Sequence, residues 1–241
     1  MKHLNLLIGI NVLIFAAYTL LVSLTGANPR EQTELSIVLF GAFSPILVEL
    51  GMIWIMITSN FLHIGIFHLV INMLALFQLG QLVETFYSSR KVLITYVLSG
   101  LTGSIFTYLW ALLTDEKIFL SIGASGAIFG LLGLLVGGTL KSSRYTAALP
   151  FSIQDFYPTI FLAIIISFFP NINWMAHLGG FLAGFALSYV FKNSYLRVIP
   201  EKEETQEKLV EKISFGIIAI SYLLLAANFF FEIIKIPINL L

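Results

Sequence analysis

The sequence predicts an all-α membrane protein, a polytopic helical bundle, and three observations carry that prediction. Only 11% of its 241 residues are charged while 58% are hydrophobic. Several apolar runs exceed the roughly 18 to 20 residues that an α-helix needs to cross a ~30 Å hydrocarbon core. Nowhere does the chain show the ~10-residue alternating segments of a membrane barrel, or the polar faces of a soluble domain.

The first run, residues 4–24, has the length of a spanning helix, and no small-residue cleavage site follows it, so it reads as helix one. Residues 26–60 are polar at 28–34 and apolar from 35, but Gly41, Pro45, Glu49 and Gly51 interrupt the apolar part. Such breaks favour short embedded segments over a continuous span. Helix two is expected at 61–86 and helix three at 92–113, joined by the turn carrying Arg90 and Lys91. Helix four follows at 124–140. Helix five, 156–169, is short and lies between Pro150 and Pro170, with Pro158 in its first turn, where a missing N–H costs little. Helix six covers 175–191. A charged linker within 193–212, read as a solvated surface segment, precedes helix seven at 213–234.

With seven spans and a cytoplasmic N-terminus, ten Lys and Arg residues fall inside and only Arg30, Lys117 and Lys235 outside, which obeys the positive-inside rule. An eight-span arrangement in which residues 35–60 cross gives the same count, because Lys2 and Arg30 merely exchange sides. The Gly, Pro and Glu interruptions favour seven. The chain has no cysteine, hence no disulfide or thiolate chemistry, and no basic patch interleaved with aromatics that would suggest nucleic acid.

Polar groups that apolar packing does not explain mark three of the helices. Helix two carries His63, His68 and Asn72, helix four begins at Ser125 within Gly123-Ala124-Ser125-Gly126, and helix six carries His177. Counted to the first charged residue at each cytoplasmic end, His68 lies 16 residues before Glu84, Ser125 16 before Lys141 and His177 15 before Lys192. At ~1.5 Å per residue all three stand about 22 to 24 Å above the inner surface. Ionisable groups inside a bilayer are costly and turn inward, so a shared depth favours a site over scattered hydrogen bonds. Gly126 and Gly130 on helix four, with Gly180 and Gly184 on helix six, are small-xxx-small pairs that let two helices approach closely. Taken singly, Ser125 is as good an N-cap as a nucleophile, and the glycines are as good for packing as for catalysis. His63, nearer the surface at another azimuth, reads as a structural histidine holding a loop.

A serine hydroxyl needs a neighbouring base to act as a nucleophile, and acyl transfer needs donors where charge develops on the carbonyl oxygen. Ser125, His177 and the pair His68 and Asn72, four residues apart on one helix face, can supply those parts. No carboxylate lies at the depth of His177, so the chemistry would be that of a Ser-His dyad. There is no His-Glu-x-x-His for zinc, and Asp115 and Asp155 lie at opposite membrane faces, which excludes an aspartyl pair. No metal or cofactor is expected. A proton-coupled transporter using the histidines is a second class. It would call for polar residues in both halves of the bundle and for repeat symmetry, and the sequence has neither.

These residues resemble the rhomboid intramembrane serine proteases. The likeness rests on Gly123 to Gly126, on His63, His68 and Asn72, on Ala176-His177-Leu178-Gly179-Gly180, and on Gly80, Glu84, Tyr96, Gly100 and Gly103. It implies a six-helix catalytic core over residues 1–192 with a membrane-embedded first loop, and a seventh helix within 213–241 after the linker 193–212. It further implies that Ser125 is the nucleophile, that His177 is general base and then acid, and that His68 and Asn72 join the Ser125 N–H in the oxyanion hole. The expected partners are the lipid bilayer and the transmembrane segments of substrate proteins. The expected location is a bacterial plasma membrane, with the site open to the outer face. Two departures from the family pattern stand out. Trp54 is followed by Ile55 where an arginine is common, and Phe129 stands where many members have tyrosine. A relative that binds transmembrane helices without cutting them is the alternative reading within this likeness, yet such a protein would be expected to lose Ser125 or His177.

Overall fold

The computed structural model describes the backbone of residues 2–24, 40–145, 152–191 and 201–235, and their side chains except at 141–145, 201–203 and 229–235. The polar stretch 28–34, Pro150 and the segment 193–200 lie outside the described residues. Among the described residues the structure is helical, with one isolated antiparallel bridge between Phe43 and Ser121. The helices are α1 (Lys2–Leu24), α2 (Pro45–Glu49), α3 (Ile55–Thr58), α4 (Gly65–Phe86), α5 (Ser89–Thr114), α6 (Ser125–Tyr145), α7 (Tyr157–Ser167), α8 (Trp174–Val190) and α9 (Glu201–Lys235). Four of them are long and apolar enough to cross a membrane, namely α1, α4, α5 and the apolar part of α9, and α6, α7 and α8 are shorter apolar helices. The protein is an all-α polytopic membrane protein.

Small residues set how closely the central helices meet. Helix α6 packs most extensively on α8, and both pack on α5. A Cβ added at Gly184 would overlap the Gly130 carbonyl, and one at Gly180 the Gly126 carbonyl, so backbones rather than side chains form the seam. At Gly103 of α5 an added Cβ would stand 2.6 Å from the Ala176 carbonyl oxygen, one residue from His177. The buried core around this seam includes Leu93, Ala127, Leu131, Leu134 and Leu135. Outward, Leu13, Phe67, Ile71 and Leu113 are exposed, as helices facing hydrocarbon require.

Between α1 and α4 the chain forms α2, α3 and a 3-10 turn at Ser59–Phe61 in place of a span, as the Gly and Pro interruptions predicted for this part of the connection. Irregular backbone at membrane depth has to satisfy its polar groups within the protein. Here core side chains do so. Thr58 Oγ1 donates to Gly41 O at 2.8 Å, Ser104 Oγ to Met56 O at 2.9 Å and Tyr96 Oη to Asn60 O at 2.7 Å. Lys117 pairs with Glu49 at 2.9 Å at the rim of the loop. Ile55 is 1% exposed, so where an arginine is common this chain buries an aliphatic side chain and fixes the loop through hydroxyl groups of α5.

At the opposite end residues 201–212 are helical, the first turns of α9; Thr205, Gln206, Lys208 and Lys212 are exposed on the surface as the sequence suggests, while Glu207 is 6% exposed. Glu207 Oε1 meets Lys91 Nζ at 2.8 Å, while Glu211 takes Arg90 Nε at 2.7 Å and His3 Nε2 at 2.8 Å. The charge run is helical because it faces a basic helix start. Hydropathy cannot distinguish that from solvation. Further along α9, Tyr222 Oη reaches Thr58 O at 3.5 Å and its ring packs on Phe61, so α9 also buttresses the loop beneath the site.

Candidate active site

Helix α5 ends at Asp115 in a left-handed conformation, and residues 115–124 then descend into the bundle without helical structure. This segment is held at Phe43, whose N–H donates to Ser121 O at 3.0 Å and whose carbonyl accepts from Ser121 N–H at 2.9 Å. Gly123 follows with φ +123, a conformation that L side chains rarely adopt, and a Cβ there would stand 2.8 Å from His68 Cε1. Its N–H donates to Ser59 O at 3.0 Å. The descent therefore starts α6 at Ser125 below the surface. The first N–H groups of a helix have no partner within it, and the positive end of its dipole lies there too.

Helix α8 brings the second group. Asn173 caps it by accepting from Ala176 N–H at 3.1 Å, and its amide nitrogen donates to Thr107 Oγ1 and Ser121 Oγ, both at 2.9 Å. One side chain thus fixes the start of α8 against α5 and against the segment leading to Ser125. His177 follows one turn later, 4% exposed, with Nε2 2.9 Å from Ser125 Oγ. Its ring lies flat on Phe129, centroids 4.1 Å apart and planes at 10°. On the far side Nδ1 is 2.8 Å from Ser167 Oγ of α7.

Ser125 and His177 open onto a cavity of about 380 Å³ whose walls also include Asn60, His68, Ser121 and Asn173. Polar walls and room for several waters suit hydrolysis inside an otherwise apolar bundle. His68 Nδ1 accepts from Ile64 N–H at 3.4 Å, which leaves Nε2 to carry the ring proton on the side facing Gly123. Asn72 stands one turn further down α4, buried, with Nδ2 donating to His68 O at 2.9 Å. His63 precedes α4 instead of lying on it, a correction to the sequence expectation; the Gly65 φ of +74 marks the break. Its buried ring packs on His68 with centroids 5.1 Å apart and lies outside the cavity lining. Gly126 lines the cavity and faces the Ala176 carbonyl.

Sequence reasoning missed Ser167, Asn173 and Ser121. Ser167 alone left a trace, as the one hydroxyl in the apolar run 160–169, three residues before Pro170. Among the described residues no three His, Asp or Glu side chains gather in a way that could hold a metal ion. Chemically, the site is a hydroxyl on a ring nitrogen, a second ring nitrogen held by another hydroxyl, and N–H donors nearby.

Residues 50–194 match the family model described as Rhomboid domain. The chain is 38% identical over 158 residues to RHOMBOID-like protein 5 of Arabidopsis thaliana, covering 62% of this chain and 48% of that protein. It is 34% identical over 185 residues to Rhomboid protease GluP of Bacillus subtilis (strain 168), covering 75% of this chain and 33% of that one. It is also 34% identical over 142 residues to Putative rhomboid protease YdcA of the same organism, covering 57% and 66%. The chain thus spans less than half the length of the first two of these relatives. With more than half of its length matched to one domain, and with a helical membrane architecture to go with it, the chain belongs to the rhomboid family.

Proposed function

We propose that the protein is an intramembrane serine endopeptidase that hydrolyses peptide bonds in or next to transmembrane segments of membrane proteins. The observation that carries this reading is the 2.9 Å contact between Ser125 Oγ and His177 Nε2 inside a polar cavity of an apolar bundle. Naming of the relatives GluP and YdcA as rhomboid proteases supports the same class.

In this mechanism His177 Nε2 takes the Ser125 proton as Oγ attacks the scissile carbonyl carbon, and negative charge moves onto the carbonyl oxygen. His68 Nε2–H, the Asn72 amide and the Ser125 backbone N–H stabilise that oxygen, while the helix dipole of α6 adds to the field. His177 then protonates the leaving amine, and the amine departs with the C–N bond electrons. Water enters from the cavity, gives its proton to His177, and its oxygen displaces Ser125 from the acyl carbon. The imidazolium returns its proton to Oγ.

With seven spans the charge count puts the N-terminus in the cytoplasm and opens the site to the outer face, as in a bacterial plasma membrane. Its substrates would arrive through the lipid past α7, a short helix along which Phe161, Leu162 and Ile164 are exposed and Ser167 is the buried residue. The test is co-expression with tagged single-span membrane proteins, beside Ser125→Ala and His177→Ala forms that still insert and fold. Cleavage by the wild type alone, with covalent labelling of Ser125 by a fluorophosphonate, is the expected result. Proteolysis retained by purified Ser125→Ala protein would overturn the proposal.

A further inference from the structure

Ser167 sits on the side of His177 away from Ser125, 8% exposed, and it is the buried residue of α7. Its Oγ makes two contacts, one to Ala163 O at 2.7 Å and one to His177 Nδ1 at 2.8 Å. A carbonyl oxygen only accepts, so the single hydroxyl hydrogen of Ser167 goes to Ala163. What remains toward His177 is an oxygen lone pair. That lone pair requires a hydrogen on Nδ1, and the neutral ring then presents a bare Nε2 to the Ser125 hydroxyl 2.9 Å away. The other tautomer would set Nδ1 and the Ser167 oxygen lone pair to lone pair, with no water access to relieve it at a residue 4% exposed.

We propose that Ser167 is a positioning residue: its hydroxyl, anchored on Ala163, holds His177 in the Nδ1–H tautomer with Nε2 facing Ser125. This rests on the reading of Ser125 and His177 as nucleophile and base, and it supplies what a dyad without a carboxylate lacks. Phe129 fixes the plane of the ring and leaves the ring free to rotate within that plane or to change tautomer. Ser167 removes that freedom from the edge. When Ser125 gives up its proton, Nδ1–H keeps the same acceptor, so the imidazolium forms without reorganisation around it. The arrangement is a chain of three groups, Ser125, His177 and Ser167, in which the third is neutral and donates to backbone.

The inference is tested with Ser167→Ala, which removes the acceptor, and Ser167→Thr, which retains the hydroxyl and its bond to the preceding turn. Turnover and the rate of Ser125 labelling by a fluorophosphonate should fall about 10- to 100-fold in Ser167→Ala, the range for leaving one buried donor unsatisfied, with KM unchanged. Ser167→Thr should recover most of that loss. Nitrogen-15 spectra of labelled His177 in detergent micelles should show Nδ1–H as the neutral form in wild type and a tautomer mixture in Ser167→Ala. Wild-type rates in Ser167→Ala, or an Nε2–H ring in the wild type, would overturn the inference. An inactive, unlabelled wild-type protein would instead refute the protease reading, and the nitrogen spectra would still decide the role of Ser167.

Discussion

The Phe129 ring lies parallel to the His177 imidazole at 4.1 Å, one turn along α6 from Ser125. Nucleophile and ring support thus belong to one rigid helix, while the base comes from another. An aromatic pair in this geometry contributes about 0.5 to 1.5 kcal/mol beyond its buried area. Phe129→Ala should therefore lower kcat by about 2- to 10-fold, with Phe129→Tyr near wild type, since the stacking face is the same. Steady-state kinetics on one substrate check this, and equal kcat for the alanine form would show that the stack contributes nothing to aligning His177.

Removal of an oxyanion donor typically lowers turnover about 10²- to 10³-fold. His68 lines the cavity with Nε2–H available, whereas one Asn72 hydrogen is already spent on His68 O. His68→Ala should thus cost more in kcat than Asn72→Ala, and His63→Ala should mainly lower thermal stability. Wild-type rates in both His68→Ala and Asn72→Ala would remove the pair from the mechanism.

Lys91 and Glu207 meet at 2.8 Å with side chains 2% and 7% exposed. Breaking a buried pair leaves an uncompensated charge and costs about 3 to 5 kcal/mol, while replacing both partners by apolar residues is often neutral. Lys91→Met should accordingly lower the thermal midpoint in detergent, and Lys91→Met with Glu207→Leu should restore much of it. A double variant no more stable than the single would mean that the loss does not come from an uncompensated Glu207 charge.

A peptide bond within a helix cannot be attacked until the helix unwinds, and each backbone group left unsatisfied in hydrocarbon costs several kcal/mol. Substrates should therefore be single-span proteins cut near the outer membrane face, after a small residue, with Gly or Pro nearby. Replacing those residues with Leu in a cleaved substrate should suppress cutting, as mass spectrometry of the products would report. Undiminished cleavage of an all-Leu segment, or a cut at the cytoplasmic end, would count against the depth assigned to Ser125.

Fold class was legible in the sequence, and a common level for the polar groups could be argued from it, because hydropathy and a rise of ~1.5 Å per residue act along the chain and require no knowledge of neighbours. That is how Ser125, His68 and His177 could be set at one level before any contact was known. The seam was legible too, since Gly126, Gly130, Gly180 and Gly184 form small-xxx-small pairs that favour close approach of two membrane helices. What only the tertiary structure decided is azimuth and pairing. Ser167 reads as a hydroxyl in an apolar run until its oxygen meets His177 Nδ1, and nothing along the chain marks Asn173 until its amide meets Thr107 and Ser121. His63 looks helical until Gly65 turns the chain, and Glu207 reads as one more surface charge until it meets Lys91. Such side-chain partners are separated by ten to more than a hundred residues, and only packing of the helices brings their polar atoms within hydrogen-bonding distance.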